Sequence, residues 1–315
     1  MGWGEPRSKE EKDNARRGDE KGITRRCEIW GVLNVTPDSF SDGGRYFETE
    51  PAIRHAREML AQGADVIDVG GESSRPPGPV YDGGAERVSA DEEVRRVVPV
   101  IRALTQQLGA RVSVDTVKAE VARQAIMAGA TLVNDVSCAA CSALLSVVAE
   151  TKAHLVLMHT RGKGEITEQN VYYQDVVKQV IIELMKAVDR AKEAGVDPKR
   201  IWIDPGIGFA KTPEQSIQLL ACTDELVATG FPVLVGPSRK SFIAKVAPDY
   251  GGGRPSPSDR LGGTAAAVAV AVFGGASAVR VHDVRMMRQV VLVAESMRIL
   301  RNKQKRSSDS RSEGT

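Results

Sequence analysis

The chain has 315 residues, 42% apolar and 27% charged, with a formal net charge of +2. One large domain fits this length, since α/β barrels run to roughly 250 residues as one unit. Balanced charge supplies no global field for nucleic acid or anionic lipid, so an anion site must be a local cluster. No apolar run reaches the roughly 20 residues of a membrane span.

In chain order, residues 1–26 are dense in charge and nearly free of apolar side chains, which predicts a disordered tail. A first β-rich run, Ile29 to Leu33, ends in Asn34-Val-Thr-Pro-Asp-Ser-Phe40-Ser-Asp42-Gly-Gly, and a helical pattern from Ala52 to Ala61 stops at Gly63. The second run, Val66 to Val69, ends in Gly70-Gly-Glu72-Ser-Ser74-Arg75-Pro76. Val112 to Val114 leads into Asp115-Thr116 and a helix from Val117 to Ala128, and the fourth run, Leu132 to Val136, carries Asn134-Asp135. Leu155 to Met158 ends in His159, with a helix from Val176 to Ala194 after it. Ile201 to Ile203 opens into Asp204-Pro-Gly-Ile-Gly-Phe209, followed by a helix from Ser216 to Ala228. Val233 to Val235 precedes Gly236-Pro-Ser-Arg239-Lys240-Ser241, and Ala278 to Val281 runs into His282-Asp283. Residues 301–315 again read as a disordered tail. Strand and helix alternating eight times predict an α/β fold, a (β/α)8 TIM barrel in one domain over residues 27–300. An open doubly wound sheet is disfavoured because Gly-x-Gly-x-x-Gly after the first strand is missing, and the Walker loop is missing too.

The four cysteines, Cys27, Cys138, Cys141 and Cys222, accompany a charged N-terminus with no secretory h-region, which points to reduced thiols in the cytoplasm. Cys138-Ala-Ala-Cys141 has the spacing of half a zinc site, but no second pair follows at ligand distance, so both read as structural thiols.

In a barrel the site is built from strand C-terminal ends. Asp, Asn, Ser and Gly there also serve as turn formers and caps, which is the reading for Asp135, Asp283, Thr116 and Thr212. It does not cover Arg75, Lys240, Arg280 and His282 together: four cationic or cationisable groups at one mouth would repel unless an anion were bound, and a phosphate or pyrophosphate fits. Arg280 and His282 flank Val281, so strand periodicity turns both to one face. Opposed to them, Asp115, Asn134 and Asp204 supply acceptors and an amide suited to a heterocycle with amino and N–H groups, such as a 2-amino-4-oxopteridine or a guanine.

With Asn34-Val-Thr-Pro-Asp-Ser-Phe40-Ser-Asp-Gly-Gly44, Gly70-Gly-Glu-Ser-Ser-Arg-Pro76, Asp204-Pro-Gly-Ile-Gly-Phe209, Ser238-Arg-Lys-Ser241 and Arg280-Val-His-Asp283 in this order, the sequence resembles dihydropteroate synthases over about residues 29–300. The resemblance implies condensation of 6-hydroxymethyl-7,8-dihydropterin pyrophosphate with p-aminobenzoate, releasing pyrophosphate. It implies that Asp115, Asn134, Asp204 and Lys240 hold the pterin. Asn34, Arg75, Arg280 and His282 would hold the pyrophosphate, with the Asn34 side-chain oxygen also on Mg2+. Ser74, Pro76, Phe209 and Ser241 would shape the p-aminobenzoate site, and Phe40 and Asp42 would lie on a closing first loop. The partners implied are these small molecules and a second copy in a homodimer, with no nucleic acid or membrane. The sequence departs from the family pattern at Ser74, where Thr is usual, at Ala210, where Gly is usual, in Pro77 and the Tyr81 to Arg87 insertion, and in Ser137 to Ser142.

The alternatives are a pterin-binding methyltransferase domain, which has no use for three pyrophosphate ligands, and a non-catalytic pterin-binding paralogue. The pyrophosphate assignment predicts that Arg280→Ala spares binding of the bare pterin and weakens that of its pyrophosphate.

Overall fold

A computed structural model of the chain describes residues 26–35, 49–72, 88–162, 166–249 and 251–312, with side chains to residue 304. Phe40, Asp42, Ser74, Arg75, Pro76, Pro77 and the Tyr81 to Arg87 insertion lie outside the described residues, as do residues 1–25 of the expected N-terminal tail.

Eight parallel strands form the centre: β1 (Glu28–Asn34), β2 (Val66–Gly70), β3 (Val112–Asp115), β4 (Leu132–Asp135), β5 (His154–Met158), β6 (Ile201–Asp204), β7 (Leu234–Val235) and β8 (Ala278–Val281). Their order is β6-β5-β4-β3-β2-β1-β8-β7, and a parallel bridge between Ile203 and Val233 joins the two ends. The chain is therefore a (β/α)8 barrel, as the alternation predicts. The helices are α1 (Thr49–Ala61), α2 (Ala90–Leu108), α3 (Ala119–Met127), α4 (Ser142–Thr151), α5 (Val176–Glu193), α6 (Pro213–Ala221), α7 (Thr223–Val227), α8 (Ser241–Val246), α9 (Leu261–Gly274) and α10 (Val284–Ser312).

Register decides what faces the barrel axis. Trp30 pairs with Val66 and Arg280, and Val156 with Trp202, so these positions share one side of the sheet. A plug of Trp30, Val66, Leu132, Val156, Trp202, Leu234 and Ala278 fills the interior, with the two indoles 5.7 Å apart. Each large side chain removed from water here contributes about 1.5 to 3 kcal/mol. Two residues further along β2, β4, β6 and β8, the inward positions become polar: Asp68, Asn134, Asp204 and Arg280. The barrel thus has a closed apolar floor and a polar mouth.

At the helix-to-strand joints glycine has a geometric reason. Gly129 sits at φ 114°, and a Cβ there would meet Thr105 Oγ1 at 2.7 Å. The structure differs from expectation at two places. The helix expected from Ser216 to Ala228 breaks at Cys222, where the Thr223 hydroxyl takes the Leu220 carbonyl and helix α7 starts afresh. Helix α10 continues to Ser312, so the segment expected to be a disordered tail from residue 301 is helical to that point. Arg301 anchors it by stacking on Phe273 at 4.0 Å and donating to the Phe273 carbonyl at 3.1 Å. The Lys, Arg and Gln that follow are good helix formers, so propagation beyond that anchor is easy.

Candidate active site

At the mouth, a buried chain of polar groups crosses the barrel from β4 to β8. Asn134 Nδ2 donates to Asp68 Oδ2 at 3.3 Å, and Arg280 Nε donates to the same oxygen at 2.5 Å. Arg280 Nη2 reaches Asp115 Oδ2 at 2.9 Å. Burial opposes the Arg280 charge, yet Asp68 and Asp115 hold it on. Its cation is therefore not exposed for an anion alone, as the sequence argument assumed, but is shared by two carboxylates. Asp68 was hidden in the apolar run Val66-Ile-Asp-Val-Gly70, where only its inward parity marks it.

His282 departs from that argument as well. Its Nδ1 lies 3.0 Å from Ser238 Oγ, which also accepts the His282 backbone N–H at 3.2 Å. Burial first, then Arg280 and Arg239, push its pKa down to about 3, so the ring is neutral near pH 7. The neutral ring donates through one nitrogen and accepts through the other, with Nδ1 held against the Ser238 hydroxyl. Four repelling cations are thus not what this mouth contains. Among the described groups it holds one paired guanidinium, one neutral imidazole and one lysine.

That lysine, Lys240, places Nζ 3.9 Å from the centre of the Phe209 ring. Burial pulls its pKa down to about 7, against the opposing pull of Asp204. Asp204, at the end of β6, accepts the Gly206 N–H at 2.7 Å, and burial lifts its pKa to about 6. Asp115 rises to about 7, again mainly through burial, with Arg280 pulling the other way. Two acceptors, Asp68 Oδ1 and Asn134 Oδ1, are buried without a partner among the described residues. An orphaned buried acceptor costs about 1 to 3 kcal/mol, so the mouth is built for a ligand that donates.

Asn34 ends β1 exposed, and its Oδ1 lies 3.6 Å from the place a Cβ on Gly70 would take. Gly70 thereby leaves space above β1 and β2 for an ion or ligand oxygen beside that amide. No group of three or more His, Cys, Asp or Glu that could hold a metal occurs among the described residues. A single amide oxygen suits a hard cation that keeps waters and substrate phosphates as its other ligands, the usual arrangement for Mg2+. Ser241 begins α8 next to Lys240. The structure brings together Asp115, Asn134, Asp204, Phe209, Lys240, Arg280 and His282 at one mouth.

The four groups read as caps divide. Thr212 caps α6 in a reciprocal capping box with Gln215. Thr116 accepts the Lys118 N–H in a turn, while Asp283 makes a two-bond ion pair with Arg239 at 3.0 and 2.6 Å. Asp135 organises the unusual Ser137 to Ser142 segment, accepting from Ser137 N at 2.8 Å and Ala139 N at 2.7 Å. Cys138 is buried in that segment, and burial raises its thiol pKa.

Sequence reasoning missed Lys211, which is 1% exposed behind Phe209. The signal available was a lysine inside a glycine-rich strand-end loop. Lys118 was also missed; it joins Glu72 and Glu93 at 2.5 Å each and the Val88 carbonyl at 2.8 Å.

Gly206 fixes the approach of this loop to β5. It sits at φ 66°, and a Cβ would fall 1.9 Å from the His159 carbonyl oxygen, a backbone atom that cannot swing away. Gly206→Ala is expected to cost about 3 kcal/mol, the upper end of overpacking, read from urea denaturation. A loss under about 0.5 kcal/mol would show that this approach is not fixed.

A parallel barrel whose polar mouth sets buried carboxylates and an amide against Lys240 and Arg280 defines an enzyme that binds a donor-rich heterocycle. Over residues 30–282 the chain matches the family model described as pterin binding enzyme, and it belongs to that family. Within it the chain sits with the dihydropteroate synthases. It is 46% identical over 274 residues to the dihydropteroate synthase of Synechocystis sp., covering 87% of this chain and 91% of that one. Two solved structures of the Xanthomonas albilineans dihydropteroate synthase are also similar. The one with 4-aminobenzoic acid has a TM-score of 0.77 and 40% identity, covering 86% of this chain and 93% of that one. The one with 7,8-dihydropteroate has a TM-score of 0.75 and 38% identity, covering 86% and 94%.

Proposed function

We infer that this chain is a dihydropteroate synthase. It condenses 6-hydroxymethyl-7,8-dihydropterin pyrophosphate with p-aminobenzoate to give 7,8-dihydropteroate and pyrophosphate. The observation that carries this reading is the mouth itself, where orphaned acceptors on Asp68 and Asn134 adjoin Asp115, Asp204 and Lys240. They match a pterin edge that presents an amino group and ring N–H donors.

In the reaction the bond between the pterin methylene and the pyrophosphate oxygen breaks, and the electron pair leaves with pyrophosphate. The p-aminobenzoate nitrogen forms the new C–N bond with its lone pair and then loses a proton. Asp115, Asn134 and Asp204 hold the pterin so that the methylene points at the mouth, and the Phe209 ring under Lys240 walls the side from which the amine arrives. His282 and Arg280 donate to the leaving oxygens. Asn34 would contribute its Oδ1 to Mg2+, which would neutralise charge on the departing pyrophosphate. No covalent nucleophile is required.

Asn34→Ala is expected to lower kcat/KM by about tenfold or more, and excess EDTA to abolish turnover. Pyrophosphate release measured with and without p-aminobenzoate tests both the reaction and the metal. Full turnover in EDTA would remove Mg2+ from this account, and release independent of p-aminobenzoate would remove the condensation.

A homodimer is proposed as well, in keeping with Val293, Met297 and Leu300, which lie exposed at helical spacing on α10. No helix among the described residues is long and apolar enough to cross a membrane. The proposed compartment is the cytoplasm, in keeping with four cysteines present as free thiols.

A further inference from the structure

We propose that Lys211 is a positioning residue for the p-aminobenzoate side of the pocket, holding Phe209 in place through a closed ring of buried and part-buried contacts that returns to Ala210. The proposal rests on the reading of Phe209 as a wall of that side.

The ring starts at two consecutive carbonyls. Lys211 Nζ donates to the Phe209 carbonyl at 3.0 Å and to His159 Nδ1 at 2.9 Å. His159, fully buried at the end of β5, meets Glu183 Oε2 on α5 with its Nε2 at 2.9 Å. Glu183 also takes two bonds from Arg161, through Nε at 3.1 Å and through Nη2. The Arg161 guanidinium lies over the Tyr173 ring at 3.8 Å, and the Tyr173 hydroxyl donates to the Ala210 carbonyl at 3.3 Å. Phe209 and Ala210 are thereby gripped from two directions by groups that share one carboxylate.

The loop needs such a grip. Ala210 is fully buried at φ 47°, in the left-handed region that costs a side-chain-bearing residue about 1 to 2 kcal/mol. A strained residue of this kind persists only where its surroundings over-determine it. Fully burying a lysine is likewise unfavourable unless the ammonium is satisfied, and here two of its three donors are used. The outer end of the ring reaches the mouth, where Lys240 Nζ sits over the Phe209 ring. The pterin acceptors are positioned by other groups, Asp204 by the Gly206 N–H and Asp115 by Arg280, while the Lys211 charge only helps to keep Asp204 ionised. Losing Lys211 should therefore move Phe209 while leaving those acceptors in place.

The hydrogen-bond roles are fixed by chemistry. Glu183, held ionised against burial by His159 and Arg161, can only accept, so His159 Nε2 carries the proton given to it and Nδ1 accepts from Lys211 Nζ. Lys211 donates as ammonium or as the neutral amine, which burial favours by lowering its pKa to about 7. The ring is neutral, with its pKa pushed down to about 4 by burial and then by Lys211.

The test compares the full-length protein with Lys211→Met and Glu183→Gln at pH 8, where Asp204, near 6, remains ionised. KM for p-aminobenzoate and kcat are measured at saturating pterin pyrophosphate, and Kd for 6-hydroxymethylpterin is measured by calorimetry. Lys211→Met is expected to raise KM by about tenfold, the equivalent of one buried hydrogen bond, with pterin Kd within about twofold. Glu183→Gln, half-exposed and near-isosteric, should raise the same KM by about threefold. In wild-type protein, 15N NMR should show His159 as the Nε2–H tautomer. Equal losses in KM and pterin Kd, an unchanged KM in both variants, or an Nδ1–H or doubly protonated His159 would overturn the proposal. Should Lys211→Met fail to fold, Glu183→Gln and the tautomer decide it. Absence of product from the wild-type protein would instead overturn the enzymatic reading on which the proposal rests.

Discussion

Replacing Arg280 with alanine is expected to cost the fold about 3 to 5 kcal/mol and to weaken binding of the bare pterin as well as of its pyrophosphate. The guanidinium is the partner that two buried carboxylates share, with Asp68 fully buried and Asp115 nearly so. Its removal leaves both acids facing each other and pushes the Asp115 pKa higher still, since Arg280 is the largest influence now holding that pKa down. At neutral pH Asp115 would then carry a proton, and a pterin N–H would lose its acceptor. This differs from the expectation drawn from the sequence, in which only the pyrophosphate ester suffers. Arg280→Lys should recover part of the stability, because an ammonium is a point charge that cannot repeat the fork joining Asp68 and Asp115. Urea denaturation gives the first quantity, and titration with 6-hydroxymethylpterin and its pyrophosphate gives the second. If stability fell by less than about 1 kcal/mol, or if the bare pterin bound as tightly as before, the bridge would not have the role given to it here.

The contrast between these expectations shows what the sequence carries. Apolar strand runs ending in Asp, Asn, Gly or His, with helical patterns between them, made the barrel legible, because alternation is a local property. The strand-end positions of Asp115, Asn134, Asp204 and Lys240 were legible for the same reason. Pairing across the barrel was not. Asp68 and Arg280 are 212 positions apart, and their contact at 2.5 Å follows only from closure through β1 and β8. Counting cations at the mouth therefore overstated its free charge, since a buried acid in an apolar strand has no local signature. Lys211 was hidden in the same way. Its neighbours Gly208 and Phe209 read as a turn, while its partners His159 and Glu183 come from β5 and α5. The helical stretch after residue 301 escaped because composition favours a solvated chain there, whereas one contact between Arg301 and Phe273 suffices to carry the helix on.

Asp204→Asn is expected to weaken pterin binding by about 2 to 4 kcal/mol, roughly thirtyfold to a thousandfold, while the barrel stays folded. The change is nearly isosteric, and the amide oxygen can still take the Gly206 N–H that Asp204 Oδ1 accepts at 2.7 Å. The second oxygen becomes an NH2 that faces donors on the ligand, so an attraction turns into a mismatch in a desolvated place. The pH dependence provides an independent signature. Burial raises Asp204 to about 6 and Asp115 to about 7, so in the empty protein both acids are largely protonated at pH 5. A ligand that donates to them binds the ionised forms, so it must expel protons at low pH, and its affinity should climb from pH 5 to about 7, where Lys240, lowered to about 7, begins to lose its charge. In Asp204→Asn one of these two titrations is gone, and the climb should become shallower, with the remaining part centred near the Asp115 value. Calorimetry of 6-hydroxymethylpterin binding in buffers of different ionisation enthalpy reads both the affinity and the protons released. Affinity that falls as pH rises from 5 to 7, or a variant with wild-type proton release, would mean that Asp204 does not face the pterin.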